Sequence, residues 1–216
     1  SRRSVAPSAL GKPSREDIKV TDMLYPCYEL AEKGEPFAET FAQIRARFEE
    51  IISGLGLTLS LDNEFAVIEE NFKKRAGSDY AASRGEYLNG KVLSAYLNYP
   101  FVDAAEVIFF GEDGNLDQEK TMTALRVRLE TMEHAVVPGF YGCGADGYVK
   151  TFSRGGSDVT GSLVAGAVKA AIYENWTDVS GFLVADPRIV AHLVGIRTTT
   201  YTERRELSYM CASSLH

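Results

Sequence analysis

Apolar residues recur at helical spacing through much of the chain. Phe37, Phe41, Ile44, Phe48 and Ile51 fall three or four positions apart, with Gly54 as a stop, so the pattern predicts an amphipathic helix over 36–54. Further helices are predicted over 22–31, 63–75, 78–96 and 121–132. Between them the pattern shortens: 101–110 reads as short extended segments, 134–141 as a buried strand with Val136 and Val137, and 148–152 alternates like a second strand. Residues 1–22 carry Pro7, Gly11 and Pro13 and read as a polar loop until the first helix begins. Over 159–173, Leu163, Val164, Ala167, Val168 and Ala171 recur at helical spacing among Gly161, Ser162, Ala165 and Gly166, as in a helix packed closely on a sheet. Strand and helix alternate without repeats, which argues for an α/β sandwich with a mainly parallel central sheet and ligands outside the carboxyl ends of its strands.

Composition narrows the function. The chain has 216 residues, 45% of them hydrophobic, enough for a sizeable core. Its net charge of −7, with no long run of Lys and Arg, argues against a nucleic-acid groove. Cys27, Cys143 and Cys211 are far apart and show no metal-ligand spacing, so the expectation is a reducing cytoplasm and no zinc site. No apolar run approaches the ~18 residues that span a bilayer, and no secretory leader opens the chain, so neither membrane insertion nor secretion is expected.

The densest chemistry lies in Ser153-Arg154-Gly155-Gly156-Ser157-Asp158, followed by Trp176-Thr177-Asp178 and Asp186-Pro187-Arg188. The two glycines permit a sharp turn and close approach of a ligand, Ser157 is a good N-cap, and Arg154 offers a planar fork beside a helix N-terminus. An anion, most simply a phosphate or carboxylate, suits that place; a tight turn with a capped helix and a surface arginine is the plainer reading. Two other motifs are set aside. Gly142 to Gly147 fits G-x-G-x-x-G in form, but a strand follows where a dinucleotide site needs a helix, so a hairpin turn is expected. Gly11-Lys12-Pro13-Ser14 echoes a phosphate loop, yet Ala6 replaces its first glycine and proline separates the lysine from the hydroxyl. Glu86 shares a helix face with Gly90, Leu93 and Leu97, an apolar stripe on which a carboxylate needs a cation. A substrate ammonium group would serve, and so would an internal Arg84 or Lys91.

These stretches resemble one family. Ser8-Ala9, Val20-Thr21-Asp22-Met23-Leu24, Ser83-Arg84-Gly85-Glu86, Pro138-Gly139-Phe140, Ser153 to Asp158, Trp176 to Gly181, Asp186-Pro187-Arg188 and Arg205 to Met210 occur in the order found in aspartate kinases. The resemblance implies an incomplete three-layer α/β/α sandwich of the amino-acid kinase superfamily, with residues 1–216 forming part of its catalytic domain. It implies transfer of the ATP γ-phosphoryl group, with Mg²⁺ riding on the nucleotide, to the side-chain carboxylate of L-aspartate at the start of lysine, threonine and methionine synthesis. By the same resemblance Ser8, Thr21, Glu86, Arg154, Gly155, Gly156 and Ser157 bind aspartate. Arg154 grips its α-carboxylate, Glu86 its α-ammonium group, and Asp158 organises the charges around the phosphoryl group. Thr177, Asp178, Leu183, Asp186 and Arg188 fall on the nucleotide-binding positions, Leu183 standing where many members have tyrosine, Ser213 where many have lysine and Cys211 where glycine is usual.

The family's Lys-Phe-Gly-Gly strand is expected upstream of Ser1, and the ACT domains through which its members sense end products and form homo-oligomers are expected downstream of His216. The rival readings are an amino-acid kinase with another acceptor, a non-catalytic remnant that binds nucleotide or a partner, and, on residues 142–147 alone, a dinucleotide-binding oxidoreductase.

Overall fold

The computed structural model describes residues 2–11, 18–153, 155–176, 198, 200, 202 and 203. Residues up to Tyr173 form one unit, and the few described residues beyond it belong to a second. In the first unit, four helices come early: α1 (Val20–Lys33), α2 (Ala38–Gly54), α3 (Asp62–Lys73) and α4 (Ser78–Leu97). The amphipathic pattern explains them. Phe41, Ile44, Phe48 and Ile52 of α2, and Phe65, Ile68 and Phe72 of α3, are the buried positions, spaced three or four apart. They meet Val20, Leu24 and Tyr28 of α1 in one core, where Phe72 sits edge-on to Tyr28 at 5.4 Å and to Phe41 at 5.9 Å.

The strands gather around a second core. β1 (Arg3–Val5) runs parallel to β2 (His134–Val136), with Ser4 opposite Ala135, and residues 100–102 line the other side of β2 through Val102 N–H to the Val136 carbonyl at 2.9 Å. β3 (Tyr141–Cys143) and β4 (Val149–Thr151) form an antiparallel hairpin, extended by a parallel bridge between Phe109 and Cys143. Helices α5 (Ala104–Val107), α6 (Gln118–Leu129) and α7 (Gly156–Ala167) cover these strands and bury Val107, Leu125 and Val164 with Val137 and Tyr141. Tyr87 of α4 packs against both cores.

The hairpin confirms the expected turn over 142–147, where Gly144 N–H donates to the Tyr148 carbonyl at 2.7 Å, and leaves no helix for a dinucleotide site. Other expectations are corrected. The loop over 1–22 contains β1, and α1 starts at Val20 and continues past Ala31 to Lys33. Residues 101–110 hold α5, because the Asp103 carboxylate accepts from Ala105 N–H at 3.0 Å and starts a turn. The single strand over 134–141 is divided at Pro138-Gly139 into β2 and β3. Ser157 is not the N-cap of α7: Gly155 holds that position with φ 57°, in the left-handed region that favours glycine. The same helix ends at Ala167 and not at 173, as Lys169 turns left-handed with φ 52°.

Candidate active site

The site is built on α4. Gly85 lets the chain at 8–9 lie directly on this helix: a Cβ there would stand 2.9 Å from the Ala9 Cβ and 3.3 Å from Thr21 Cγ2. One turn on, Asn89 Nδ2 donates to the Ser8 carbonyl at 2.6 Å. Ser8 and Thr21 are therefore held close to Glu86. The same loop reaches the glycine turn through one intermediary. The Pro7 carbonyl accepts from Gly139 N–H at 2.9 Å, and Gly139 packs so closely on Ser157 that a Cβ would come within 2.6 Å of the Ser157 Cα. Gly155, Gly156 and Ser157 thus start α7 next to the strand end that carries Pro7 and Ser8, and Asp158 lies in the first turn of that helix. The first-turn N–H groups and the helix dipole favour an anion at this end.

Glu86 is 6% exposed, and its Oε2 has no hydrogen-bond partner among the described residues. Burial pushes its carboxyl up to about 7, against the pull of the Glu86 and Ala9 N–H groups and the Arg84 charge. Both internal cations are committed elsewhere. Arg84 lies over the rings of Tyr80 and Tyr87, each at 4.5 Å, and donates from Nη2 to Ser83 Oγ at 2.9 Å. Lys91 pairs with Glu64 at 3.6 Å. A buried carboxylate with an unmatched oxygen, at the edge of a loop that also carries hydroxyl and backbone groups, is suited to an incoming ammonium group.

Sequence reasoning missed two participants. Asp79 lies seven residues before Glu86 on α4 and accepts from Thr151 Oγ1 at 2.9 Å and Thr151 N–H at 3.3 Å. The Tyr25 phenol on α1 is raised by burial first and then by the Asp79 and Glu86 charges. The seven-residue spacing was visible, since it returns to the same helix face, but its partner strand was not. Arg154, Thr177, Asp178, Leu183, Asp186 and Arg188 lie outside the described residues, as do Ser213 and Cys211. Burial pushes the Cys27 thiol up to about 12, which makes it inert as a nucleophile. Among the described residues no group of three or more His, Cys, Asp or Glu side chains is placed to hold a metal ion, and no helix is long and apolar enough to cross a membrane.

Comparison with known proteins identifies the family. The model of the amino acid kinase family matches residues 28–216. The chain is 35% identical to aspartokinase 3 of Bacillus subtilis over 231 aligned residues, covering all of this chain and 50% of that protein. Aspartate kinase from Clostridium acetobutylicum superposes with a TM-score of 0.90 at 49% identity, over 97% of this chain and 48% of the other. Aspartokinase III of E. coli, solved in complex with aspartate and ADP, gives a TM-score of 0.78 at 26% identity, over 99% of this chain and 51% of the other. The chain spans about half the length of these relatives. Its α/β architecture is the amino-acid kinase fold, here incomplete, and the chain belongs to the amino acid kinase family.

Proposed function

We propose that residues 1–216 are part of the catalytic domain of an aspartate kinase, which phosphorylates the side-chain carboxylate of L-aspartate at the expense of ATP. The observation that carries this reading is the unmatched, buried Glu86 carboxylate beside Ser8 and Thr21 and one loop away from the start of α7. Aspartate offers what that arrangement lacks. Its α-ammonium group supplies the cation for Glu86, and its α-carboxylate suits the Gly155-Gly156-Ser157 helix start, with Arg154 as the planar counter-charge.

Held at those two ends, the acceptor has its β-carboxylate free. One β-carboxylate oxygen attacks the γ-phosphorus, a new P–O bond forms as the bond to the ADP oxygen breaks, and 4-phospho-L-aspartate and ADP result. No protein nucleophile is needed, so positioning and charge neutralisation carry the catalysis. Asp158, in the first turn of α7, would help organise the charges around the phosphoryl group, and Mg²⁺ carried on the ATP would supply charge neutralisation. Thr177, Asp178, Leu183, Asp186 and Arg188 complete the nucleotide side in this reading. A cytoplasmic location, homo-oligomerisation through ACT domains and a role in lysine, threonine and methionine synthesis go with it.

Acceptor profiling of the full protein tests the proposal. With hydroxylamine trapping the acyl phosphate, L-aspartate should yield hydroxamate, whereas succinate, which lacks the ammonium group, and aspartate α-amide, which lacks the α-carboxylate charge, should not. Equal use of succinate and aspartate would remove Glu86 from the role given to it.

A further inference from the structure

A side-chain hydrogen bond to Asp79 joins the helix that carries Glu86 to the strand that precedes α7. Asp79, in the first turn of α4, accepts from both the hydroxyl and the backbone N–H of Thr151, at 2.9 and 3.3 Å. Thr151 is the last residue of β4, and Gly155, the N-cap of α7, follows four residues later. The bond joins positions 72 residues apart in sequence, and both partners are half-buried. Asp79 and Glu86 lie seven residues apart, almost the same face of the helix two turns on, about 10 Å along its axis.

On its other edge β4 is already held. Thr151 pairs with Tyr141 in the hairpin, and Phe152 N–H donates to the Phe140 carbonyl at 2.9 Å. These bonds fix β4 to β3 but not to α4. α4 also packs against β4, and the Asp79 carboxylate adds a direct hydrogen-bonded tie between them, the kind of contact that fixes a distance most narrowly.

Resting on the aspartate kinase reading, we infer that Asp79 is a positioning residue for the acceptor: its bonds to Thr151 set the distance between the ammonium-binding Glu86 and the carboxylate-binding glycine turn. It touches no substrate. A zwitterion gripped at both ends is sensitive to that distance, whereas ATP, bound elsewhere on the kinase, is not. The role therefore separates the two substrates, which a merely stabilising hydrogen bond does not do.

Steady-state kinetics of the full protein test this with Thr151→Val, Thr151→Ser, Asp79→Asn and the double variant Thr151→Val with Asp79→Asn. Thr151→Val should raise the KM for aspartate about tenfold, as expected for loss of one hydrogen bond to a charged group, with the KM for ATP unchanged and kcat within about twofold. Thr151→Ser keeps the hydroxyl and should restore the parent value, and the double variant should be no worse than the worse single one. Should Asp79→Asn fail to fold, the two threonine variants still decide. An unchanged KM for aspartate in Thr151→Val, a parallel rise for ATP, or a serine variant as impaired as valine overturns the inference. If the unmutated protein phosphorylates no aspartate at all, the functional reading itself falls and takes this inference with it.

Discussion

An ionised Glu86 with one carboxylate oxygen unmatched costs the ligand-free protein stability. Its carboxyl, at about 7 when folded, stands above the ordinary 4.5, so the folded state holds the proton more tightly than the unfolded chain. Folded stability from this residue therefore falls as pH rises from 4.5 towards 7, and the loss is complete above that range. Glu86→Gln removes a cost of about 3 kcal/mol, so its melting temperature should exceed the parent's above pH 7 and lose that advantage below pH 4.5. In the proposed binding mode aspartate reverses the balance, because its ammonium group would pair with the charged form. Its KM should therefore fall as pH rises through about 7, with proton release on binding, and Glu86→Gln should flatten that profile. At this scale the sequence was informative: a carboxylate on the stripe with Gly90 and Leu93 signalled a missing cation. Whether Arg84 or Lys91 supplied it could not be read, since the rings of Tyr80 and Tyr87 and the Glu64 carboxylate that occupy those cations come from spacing and packing across two helices.

The elements that carry the site meet through backbone contacts that admit no extra atoms. A Cβ on Gly139 would lie 2.6 Å from the Ser157 Cα, a backbone atom that cannot swing aside. Gly139→Ala should therefore displace the start of α7, cost about 1–3 kcal/mol in denaturant unfolding, and weaken aspartate use more than nucleotide binding. Helices α2 and α3 were legible to within two residues at either end, because their buried phenylalanines and isoleucines recur at the helical period. β1 was not. Arg3 and Ser4 are exposed, and three residues give no alternation, so the strand exists through its pairing with β2 more than 120 residues later. α5 was missed for a similar reason: four residues carry no period, and the Asp103 cap that starts them also accepts from the buried Tyr141 hydroxyl at 2.8 Å.

Across the first unit, two hydrophobic cores share α4, with Tyr87 in contact with both. Damage to the helical core should therefore reach the site through α4. Phe72 is fully buried among Tyr28, Phe37, Phe41 and Tyr80, and Phe72→Ala should cost about 3–5 kcal/mol and lower the melting temperature of the whole unit in one transition. Two separate transitions would show that the cores unfold independently. The α/β class was legible from the alternation of patterns, and the order of short motifs pointed to the family before any contact was known. The tie between Asp79 and Thr151 was hidden, because long-range pairing leaves no local signal. The central claim is that Glu86 holds the ammonium group of aspartate, and hydroxamate formation by the full protein and its Glu86→Gln variant, at saturating ATP, tests it most directly. A fall of at least about thirtyfold in kcat/KM for aspartate with ATP binding intact is the predicted result; equal hydroxamate formation by the two proteins would contradict it.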